Sequence, residues 1–249
     1  MKKLSILVIC LLLLNTVKVF SQDLVTDRPD QTESSVTIPA GSLQIETGFL
    51  LGYDEVDHLS VRNIVVPASL FRLGITKSIE LRIGSQFESY KFKAESVEGI
   101  GDIEIGAKVQ LLKNGNINTE IAFLSHLVVP SGTNELSNGR AGTVNKLAIS
   151  HAVNESTGLG YNIGYNYFGH GNGDLTFSTV LGYSINEKAA VFIEPFGEIA
   201  NFEELVLNAD AGFTWLLNDN FQLDFSFGTG VNHKMNYLSL GFCWRLLKK

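Results

Sequence analysis

A two-residue alternation of apolar and polar side chains dominates the stretch from Ile64 to Ser89. Apart from Ser85, residues 79–88 divide into two interleaved sets: apolar Ile79, Leu81, Ile83 and Phe87 against polar or small Glu80, Arg82, Gly84, Gln86 and Glu88. Successive side chains of a β-strand point to opposite faces, so the stretch predicts two antiparallel strands joined at Thr76-Lys77-Ser78. Because the pattern recurs along the chain, it constrains the fold to sheets with one apolar and one charged face.

Twelve segments are predicted as strands: 42–52, 63–75, 78–88, 100–112, 117–129, 143–153, 157–168, 174–185, 189–199, 204–216, 220–231 and 236–247. Their lengths exceed the usual soluble strand of about 5–6 residues and suit the roughly 9–11 residues that a tilted strand needs to cross a bilayer. The sixth and ninth are the weakest, and Pro195 makes the register of the ninth doubtful.

The connections between these segments alternate in length. Five are very short and rich in turn formers: Thr76-Lys77-Ser78, Lys113 to Asn116, Asn154 to Ser156, Asn186 to Lys188 and Asn218 to Asn220. The intervening ones include longer stretches: Tyr53 to Ser60, Tyr90 to Glu98 and Pro130 to Gly142. Bacterial outer-membrane barrels have short periplasmic turns and longer extracellular loops, so both termini are predicted to be periplasmic.

The chain is expected to have three parts. Residues 1–21 resemble a signal peptide, with Lys2 and Lys3 before the apolar run Leu4 to Leu14. Residues 22–41 are predicted as an irregular periplasmic segment, and residues 42–249 as the barrel. Cleavage would remove three lysines and no acid, taking the formal charge from -7 to -10, which argues against nucleic acid as a partner. Cys243 would remain the single cysteine, so no intramolecular disulfide is expected.

Alternation alone does not separate a membrane barrel from a soluble one. Glycines recur on the polar face, as at Gly48 and Gly241, where a narrow concave wall would need space. Aromatic residues gather near strand ends, as in the girdles of membrane barrels. An arginine facing lipid at mid-membrane costs roughly 2–4 kcal/mol, so the charged faces must line the lumen. The prediction is an all-β, antiparallel transmembrane β-barrel of about 12 strands in the outer membrane of a Gram-negative cell.

Several blocks resemble one family of barrels. They are Thr26 to Ser34, Gly41 to Phe49, Phe71 to Ile75, Ile79 to Arg82, Gly99 to Ile103 and Val129 to Gly132. The chain resembles the outer-membrane barrels grouped as meta-pathway phenol-degradation proteins, often called transporters, over most of its mature length. The resemblance implies a porin-like barrel that admits small organic, including aromatic, compounds, and it supplies no catalytic residues. The C-terminal end Trp244 to Lys249 departs from the terminal aromatic that many such barrels carry.

The candidate site residues are polar side chains on the predicted inner face. The lumen or pore-lining set is Glu46, Arg72, Glu80, Arg82, Glu88, Asp102, Glu104, Lys108, Glu120, Asp210, Asp224 and Arg245. It would either select solutes by charge or form a structural ion-pair network that fills a narrow lumen. A candidate plug set is Asp27, Arg28, Asp30 and Glu33, which would meet lumen arginines or belong to a loose tail.

Other function classes have weaker support. Ser125-His126 and Ser150-His151 would suit a lipid-hydrolysing barrel, but adjacent strand residues point to opposite faces. A structural or adhesion barrel acting through the polar loop Ser131 to Gly142 is the third class. No catalytic residue, cofactor or metal site is predicted. The expected function is passive, downhill passage of a small-molecule solute, with outer-membrane lipid as the surrounding partner.

Overall fold

The computed structural model describes residues 24–56, 59–114 and 118–246, and the predicted signal peptide lies outside these ranges. The regular structure that they contain consists of the strands β1 (Leu43–Val56), β2 (Leu59–Gly74), β3 (Ile79–Phe92), β4 (Glu95–Ile100), β5 (Ile103–Asn114), β6 (Thr119–Val129), β7 (Gly142–Ala152), β8 (Thr157–Tyr167), β9 (Asp174–Ser184), β10 (Ala189–Ala200), β11 (Glu204–Asn218), β12 (Phe221–Gly230) and β13 (Met235–Leu246). Within the same ranges, no helix is long and apolar enough to cross a membrane.

The strands form one closed antiparallel barrel. β1 pairs with β13 from Leu43 opposite Leu246 to Asp54 opposite Met235, which joins the two ends of the sheet. β3 pairs with β5 through its first half and with β4 through its second half. β4 and β5 are therefore two parts of one wall strand, interrupted at Gly101-Asp102. The prediction of a twelve-stranded antiparallel barrel is confirmed.

Two connections predicted as longer loops are instead strand hairpins, so that prediction was wrong. β1 continues to Val56 and β2 begins at Leu59, while β3 continues to Phe92 and β4 begins at Glu95. Both hairpins carry many polar residues, and polar stretches without alternation are predicted as loops. Where a hairpin rises beyond the apolar band, both of its faces are solvated, and the alternation that marks a strand disappears.

The two ends of the barrel differ. At one end, here called the turn end, the connections are the short ones at 75–78, 153–156, 185–188 and 219–220, and β5 ends there at Asn114 before β6 begins at Thr119. The opposite end, here called the loop end, carries the longest connections, 130–141 and 168–173. The periplasmic location of the turn end stays a prediction.

Ionic side chains lie inside the barrel and apolar side chains cover its outside. Arg72, Glu80 and Lys108 have no exposed surface, whereas outward-facing Leu240 and Ile193 are 55% and 60% exposed. A contiguous apolar exterior around a polar interior is the arrangement of a barrel that sits in lipid. The centre of this molecule is therefore a network of charges rather than an oily core.

The prolines in the wall have different effects on register. The β2–β3 pairing shifts between Val65 and Ala68, so Val66-Pro67 forms an irregularity of the kind that tolerates a residue without an N–H. Pro195 lies opposite Ala209 of β11, and the pairing on both sides of it keeps one register. The weak ninth prediction, 189–199, is thus a regular wall strand.

Candidate functional site in the barrel lumen

The irregular chain that precedes β1 lies inside the barrel. Residues 24–41, called the lumen segment below, contact the inner faces of strands around the wall. The backbone N–H of Ile38 donates to Glu80 on β3 at 2.8 Å, and that of Gln31 donates to Glu194 on β10 at 2.6 Å. The segment also carries the candidate plug residues, all of which face the wall or the cavity described below.

Three wall cations converge on one carboxylate of the lumen segment. Asp27 Oδ2 lies 2.6 Å from Arg82 Nη1, 2.9 Å from Lys108 Nζ and 3.1 Å from Arg72 Nη1. These cations, called the cationic triad below, come from β2, β3 and β5 and are buried. The other oxygen of Asp27 accepts the backbone N–H of Ser34 at 2.8 Å, which folds the segment back on itself.

Acids of the wall share the charge of the triad. Arg72 and Arg82 lie directly opposite each other on β2 and β3, an unfavourable like-charge pair on its own. Glu80 resolves it, since its carboxylate accepts Arg72 Nε at 2.8 Å and Arg82 Nη1 at 3.0 Å. Glu46 on β1 accepts Arg72 Nη1 at 2.8 Å. Both arginines thus have carboxylate partners on the wall itself, in addition to those of the segment.

The segment's carboxylates complete this network. Burial alone would raise the pKa of the Asp27 carboxyl, but Arg72, Lys108 and Arg82 together hold that pKa well below its ordinary value. Asp27 is therefore ionised at neutral pH. Glu33 adds a second carboxylate, 2.8 Å from Arg82 Nη2 and 3.5 Å from Lys108 Nζ.

A cation of the segment binds the opposite wall. Arg28 Nη2 donates to Asp224 on β12 and to Ser239 on β13, both at 3.0 Å. Gly48 and Gly241 provide the space that its guanidinium fills, because a Cβ at Gly241 would lie 2.6 Å from Arg28 Nε. The predicted use of glycine to make room on the inner wall applies at these two positions.

A carboxyl-rich zone surrounds the middle of the segment. Glu194 accepts the N–H of Gln31 and the hydroxyl of Thr32, and that hydroxyl also lies 2.7 Å from Ser178 Oγ on β9. Nearby, Tyr237 donates its hydroxyl to Asp210. Burial and the charge of Glu194 raise the pKa of Asp30 well above its ordinary value.

Both serine–histidine pairs of the sequence are split between the two faces of the wall. His126 faces inward, where it accepts Arg82 Nε–H through Nε2 at 3.0 Å and donates Nδ1–H to Glu104 at 2.8 Å. Ser125 faces outward and donates to Asn145. In the second pair, Ser150 faces inward against Ser35, and His151 contacts Thr119 and Tyr161 on the outer face.

Besides Asp210 and Asp224, four of the predicted lumen residues lie away from the triad. Glu88, in the half of β3 nearer the loop end, accepts a hydrogen bond from Gln86 Nε2 at 2.6 Å. Asp102 lies in the break between β4 and β5, where its carboxylate accepts the N–H groups of Ser131, Gly132 and Asn138 and fixes the long loop. Glu120 and Arg245 lie near the turn end, the first 3.7 Å from Lys113 and the second bonded to the carbonyl of Asp219 at 2.9 Å.

Several inward-facing polar residues were not in the predicted lumen set. Glu194 is the most important, and Gln44, His126 and Asn162 also point inward. The alternation of Phe192 and Glu194 with Val191 and Ile193 would have identified Glu194, but doubt about Pro195 hid it. Asn162 hydrogen-bonds both backbone groups of Glu33, and a single asparagine in a strand carries no signal of such a role.

The segment leaves a cavity on its turn-end side. Its volume is about 940 Å³, and its lining combines segment residues with wall residues near the short turns, among them Asp30, Val36, Glu120, Gly160, Phe192 and Gln222. Among the described residues, no group of three or more histidine, cysteine, aspartate or glutamate side chains is arranged to hold a metal ion.

The match to a protein family covers both the wall and the segment. The family described as "Putative MetA-pathway of phenol degradation" matches residues 26–245. The chain belongs to this family. Because the match begins at residue 26, the sequence pattern of the phenol-degradation family includes the lumen segment as well as the strands. No curated protein matches the chain by sequence.

Solved barrels resemble this member of the phenol-degradation family in fold. An outer membrane channel from Pseudomonas putida F1 superposes with a TM-score of 0.74 at 11% identity, covering 85% of this chain and 98% of that one. The KdgM porin, solved in complex with disordered oligogalacturonate, gives a TM-score of 0.57 at 10% identity, with coverage of 81% and 98%. The NanC porin gives 0.52 at 8% identity, with coverage of 80% and 100%. The family member thus has the fold of outer-membrane β-barrels.

Proposed function

We propose that this chain is a passive outer-membrane channel for small organic molecules and that the lumen segment is its plug. The observation that carries the proposal is the position of residues 24–41 within the lumen. Asp27 and Glu33 bind the cationic triad on one side, and Arg28 binds Asp224 on the other. The segment therefore spans the passage from wall to wall.

A purely structural network that fills a narrow lumen is the competing explanation. The pairing of the wall argues against it, since β1 to β13 close through their own backbone hydrogen bonds without using the segment. The contacts of the segment with the wall are mostly made by side chains. Withdrawal of the segment would consequently leave the sheet intact and the lumen unobstructed.

The family and the cavity support a proposal for the solute class. The description of the family refers to phenol degradation. The cavity volume of about 940 Å³ lies within the range of roughly 300–1,000 Å³ that is typical of small-molecule sites. Its lining mixes apolar Val36, Ile38 and Phe192 with polar groups. We assign small, aromatic or otherwise hydrophobic organic molecules as the solutes.

We further propose that the chain has no catalytic role. The separation of Ser125 from His126 and of Ser150 from His151 across the wall supports it, because neither serine has its neighbouring histidine as a base. A phospholipase assay on the refolded protein would contradict this part of the proposal if lipid hydrolysis rose above that of empty detergent.

Liposome swelling tests the channel function. The full-length protein and a variant lacking residues 24–38 are reconstituted side by side and challenged with sugars and water-soluble aromatics of graded size. The shortened protein should admit larger solutes and swell faster than the full-length protein. A variant with loop residues 132–139 trimmed serves as the control and should match the full-length protein. Equal, background-level swelling by all three proteins would overturn the proposal.

A further inference from the structure

The lumen wall contains a site for a carboxylate that does not belong to the wall itself. We propose that Arg82 and Lys108, with Arg72 behind them, form a carboxylate-binding site that Asp27 fills in the plugged channel. A carboxylate-bearing solute occupies this site once the segment withdraws. This inference rests on the proposed channel function and narrows its solute class to small organic acids.

The contacts of Asp27 have the geometry of a built binding site. Lys108 Nζ lies 3.0 Å from one oxygen and 2.9 Å from the other, so the ammonium bridges the whole carboxylate. Arg82 and Arg72 approach the second oxygen through Nη1. Charge-assisted contacts of this kind are about twice as strong as neutral hydrogen bonds, and two guanidiniums with one ammonium suit a planar anion.

The three cations depend on the segment to different degrees. Arg72 keeps Glu46 and Glu80 as wall partners whether or not Asp27 is present. Lys108 donates to Asp27 and to the carbonyl and hydroxyl of Ser34, all of which belong to the segment. Arg82 Nη2 donates to Glu33, also of the segment. Withdrawal therefore frees Lys108 and part of Arg82, while the Arg72 pairs persist.

The freed cations define what kind of group can replace Asp27. A positive charge inside a narrow lumen is costly without a counter-charge, so an anion that enters the site stabilises the withdrawn state. A neutral phenol brings no such charge. Glu46, Glu80 and Glu104 surround the site and oppose a more highly charged anion such as phosphate. A compact monocarboxylate meets both conditions.

Competition between Asp27 and a solute links binding to passage. The tethered carboxylate has a high effective concentration, so the plugged state dominates without solute. A carboxylate that binds only the withdrawn state shifts the population towards it in proportion to its concentration. The site would thus admit the solutes that it recognises.

Bilayer conductance with a matched pair of aromatic probes tests the proposal. Benzoate and the isosteric neutral benzamide are added to the full-length protein, with ionic strength held constant by chloride. Benzoate should raise the open probability with saturation, and benzamide should not. In Lys108→Met the open probability without benzoate should rise about tenfold or more, because Lys108 also holds Asp27, and benzoate should then add correspondingly less.

A vacated site gives the reverse measurement. In Asp27→Ala the segment should be held less tightly. Acetate fits the space left by the side chain and, in the plugged state alone, also accepts the N–H of Ser34, so it should lower the conductance towards the full-length value while acetamide has no effect. Asp27→Asn fills the same space without the charge, so acetate should not lower the conductance of that variant. The benzoate and acetate experiments use the complete chain and read two opposite changes in current.

The outcomes separate the two proposals. If deletion of residues 24–38 increases conductance but benzoate and benzamide act alike, the carboxylate site is wrong and the channel function stands. If the deleted protein remains impermeable, the channel function fails, and with it the inference that rests on it. Benzoate activation that is unchanged in Lys108→Met would also overturn the site.

Discussion

Arg72 shows how a guanidinium can be completely enclosed within a membrane barrel. Its five N–H groups meet Glu46, Glu80 and Asp27 together with the backbone carbonyls of Val25 and Val36. An enclosed ion pair adds little stability over an apolar pair, but removing one partner leaves the others uncompensated. The arginine is therefore more important for holding three carboxylates in place than for the energy of any single pair.

Replacing Arg72 should be far more damaging than replacing an exposed cation. Arg72→Ala strands Glu46 and Glu80 without their main partner, so the free energy of unfolding should fall by about 3–5 kcal/mol. Lys234→Ala, which breaks the exposed pair with Glu55, should cost about 1 kcal/mol or less. Urea titration of both variants in the same lipid measures the difference, and equal losses would contradict the enclosed-network description.

Asp30 should make the stability of the folded protein depend on pH. Burial and the neighbouring carboxylates Glu194, Asp27 and Asp210 raise its pKa above the ordinary 3.8, so the folded protein holds its proton over a range where the unfolded chain has lost it. Stability contributed by this group therefore falls as pH rises above about 3.8, and the full cost is present above the raised pKa. Asp30→Asn should stabilise the protein at neutral pH and have no effect near pH 3.

Asp27 provides the opposite control. Its pKa is lowered, so its contribution is present above 3.8 and is lost as pH falls through the lowered value. Asp27→Asn should accordingly destabilise the protein at neutral pH, with a difference that shrinks in acid. The difference in urea midpoint between each variant and the full-length protein is measured against pH. The two differences should change with pH in opposite directions, and parallel curves would refute the assignment of the two carboxyls.

At the scale of elements, the wall and the segment are separable parts. β1 to β13 form the ring through backbone pairing, and the segment is attached to it by a few ionic and hydrogen-bonded side chains. The long loop 130–141 is a third unit, fixed at the loop end by Asp102 rather than directed into the lumen. Changes to the loop and to the segment should consequently affect different properties.

Removing the segment should increase single-channel conductance. Deletion of residues 24–38 takes away Asp27, Arg28 and Glu33 together and leaves the wall pairing unchanged, so ions should pass a wider lumen. Trimming residues 132–139 should leave the conductance as it is. Planar bilayer recording measures both variants, and a deleted protein with the current of the full-length one would rule out a plug.

At the scale of the molecule, the barrel reverses the usual distribution of polarity. Leu240 lies near the middle of β13 and faces outward between Phe49 and Phe225, its cross-strand neighbours. Ile185 is similarly exposed but lies beyond the end of β9, at the turn end. The two positions differ mainly in their depth in the bilayer.

An arginine at these two positions should have different costs. Leu240→Arg should reduce the free energy of unfolding by about 2–4 kcal/mol, because the charge sits near the bilayer midplane, and Ile185→Arg by about 0–1 kcal/mol. Folding equilibria in liposomes measure both. Equal costs would mean that the outer surface does not contact lipid.

The sequence was sufficient for the fold and for most of the charged site. Alternation placed Arg72, Arg82 and Lys108 on one face, and closure of the barrel made that face the interior. It was insufficient where alternation ends, as in the hairpin from Tyr90 to Glu98, since both faces of that hairpin meet water. It also could not show that Asp27 meets the triad, because contacts between an irregular segment and a distant strand leave no periodic signal.

Both ends of the lumen segment lie at the same mouth of the barrel. Near its start, Thr26 accepts Gln222 Nε2 just after the β11–β12 turn, and near its end Thr37 donates to the carbonyl of Lys77 in the β2–β3 turn. The segment thus enters and leaves the lumen at the same mouth and does not pass through the barrel from one end to the other. A pulling force applied from that one side could extract it, residue by residue, without any part of the chain crossing the membrane.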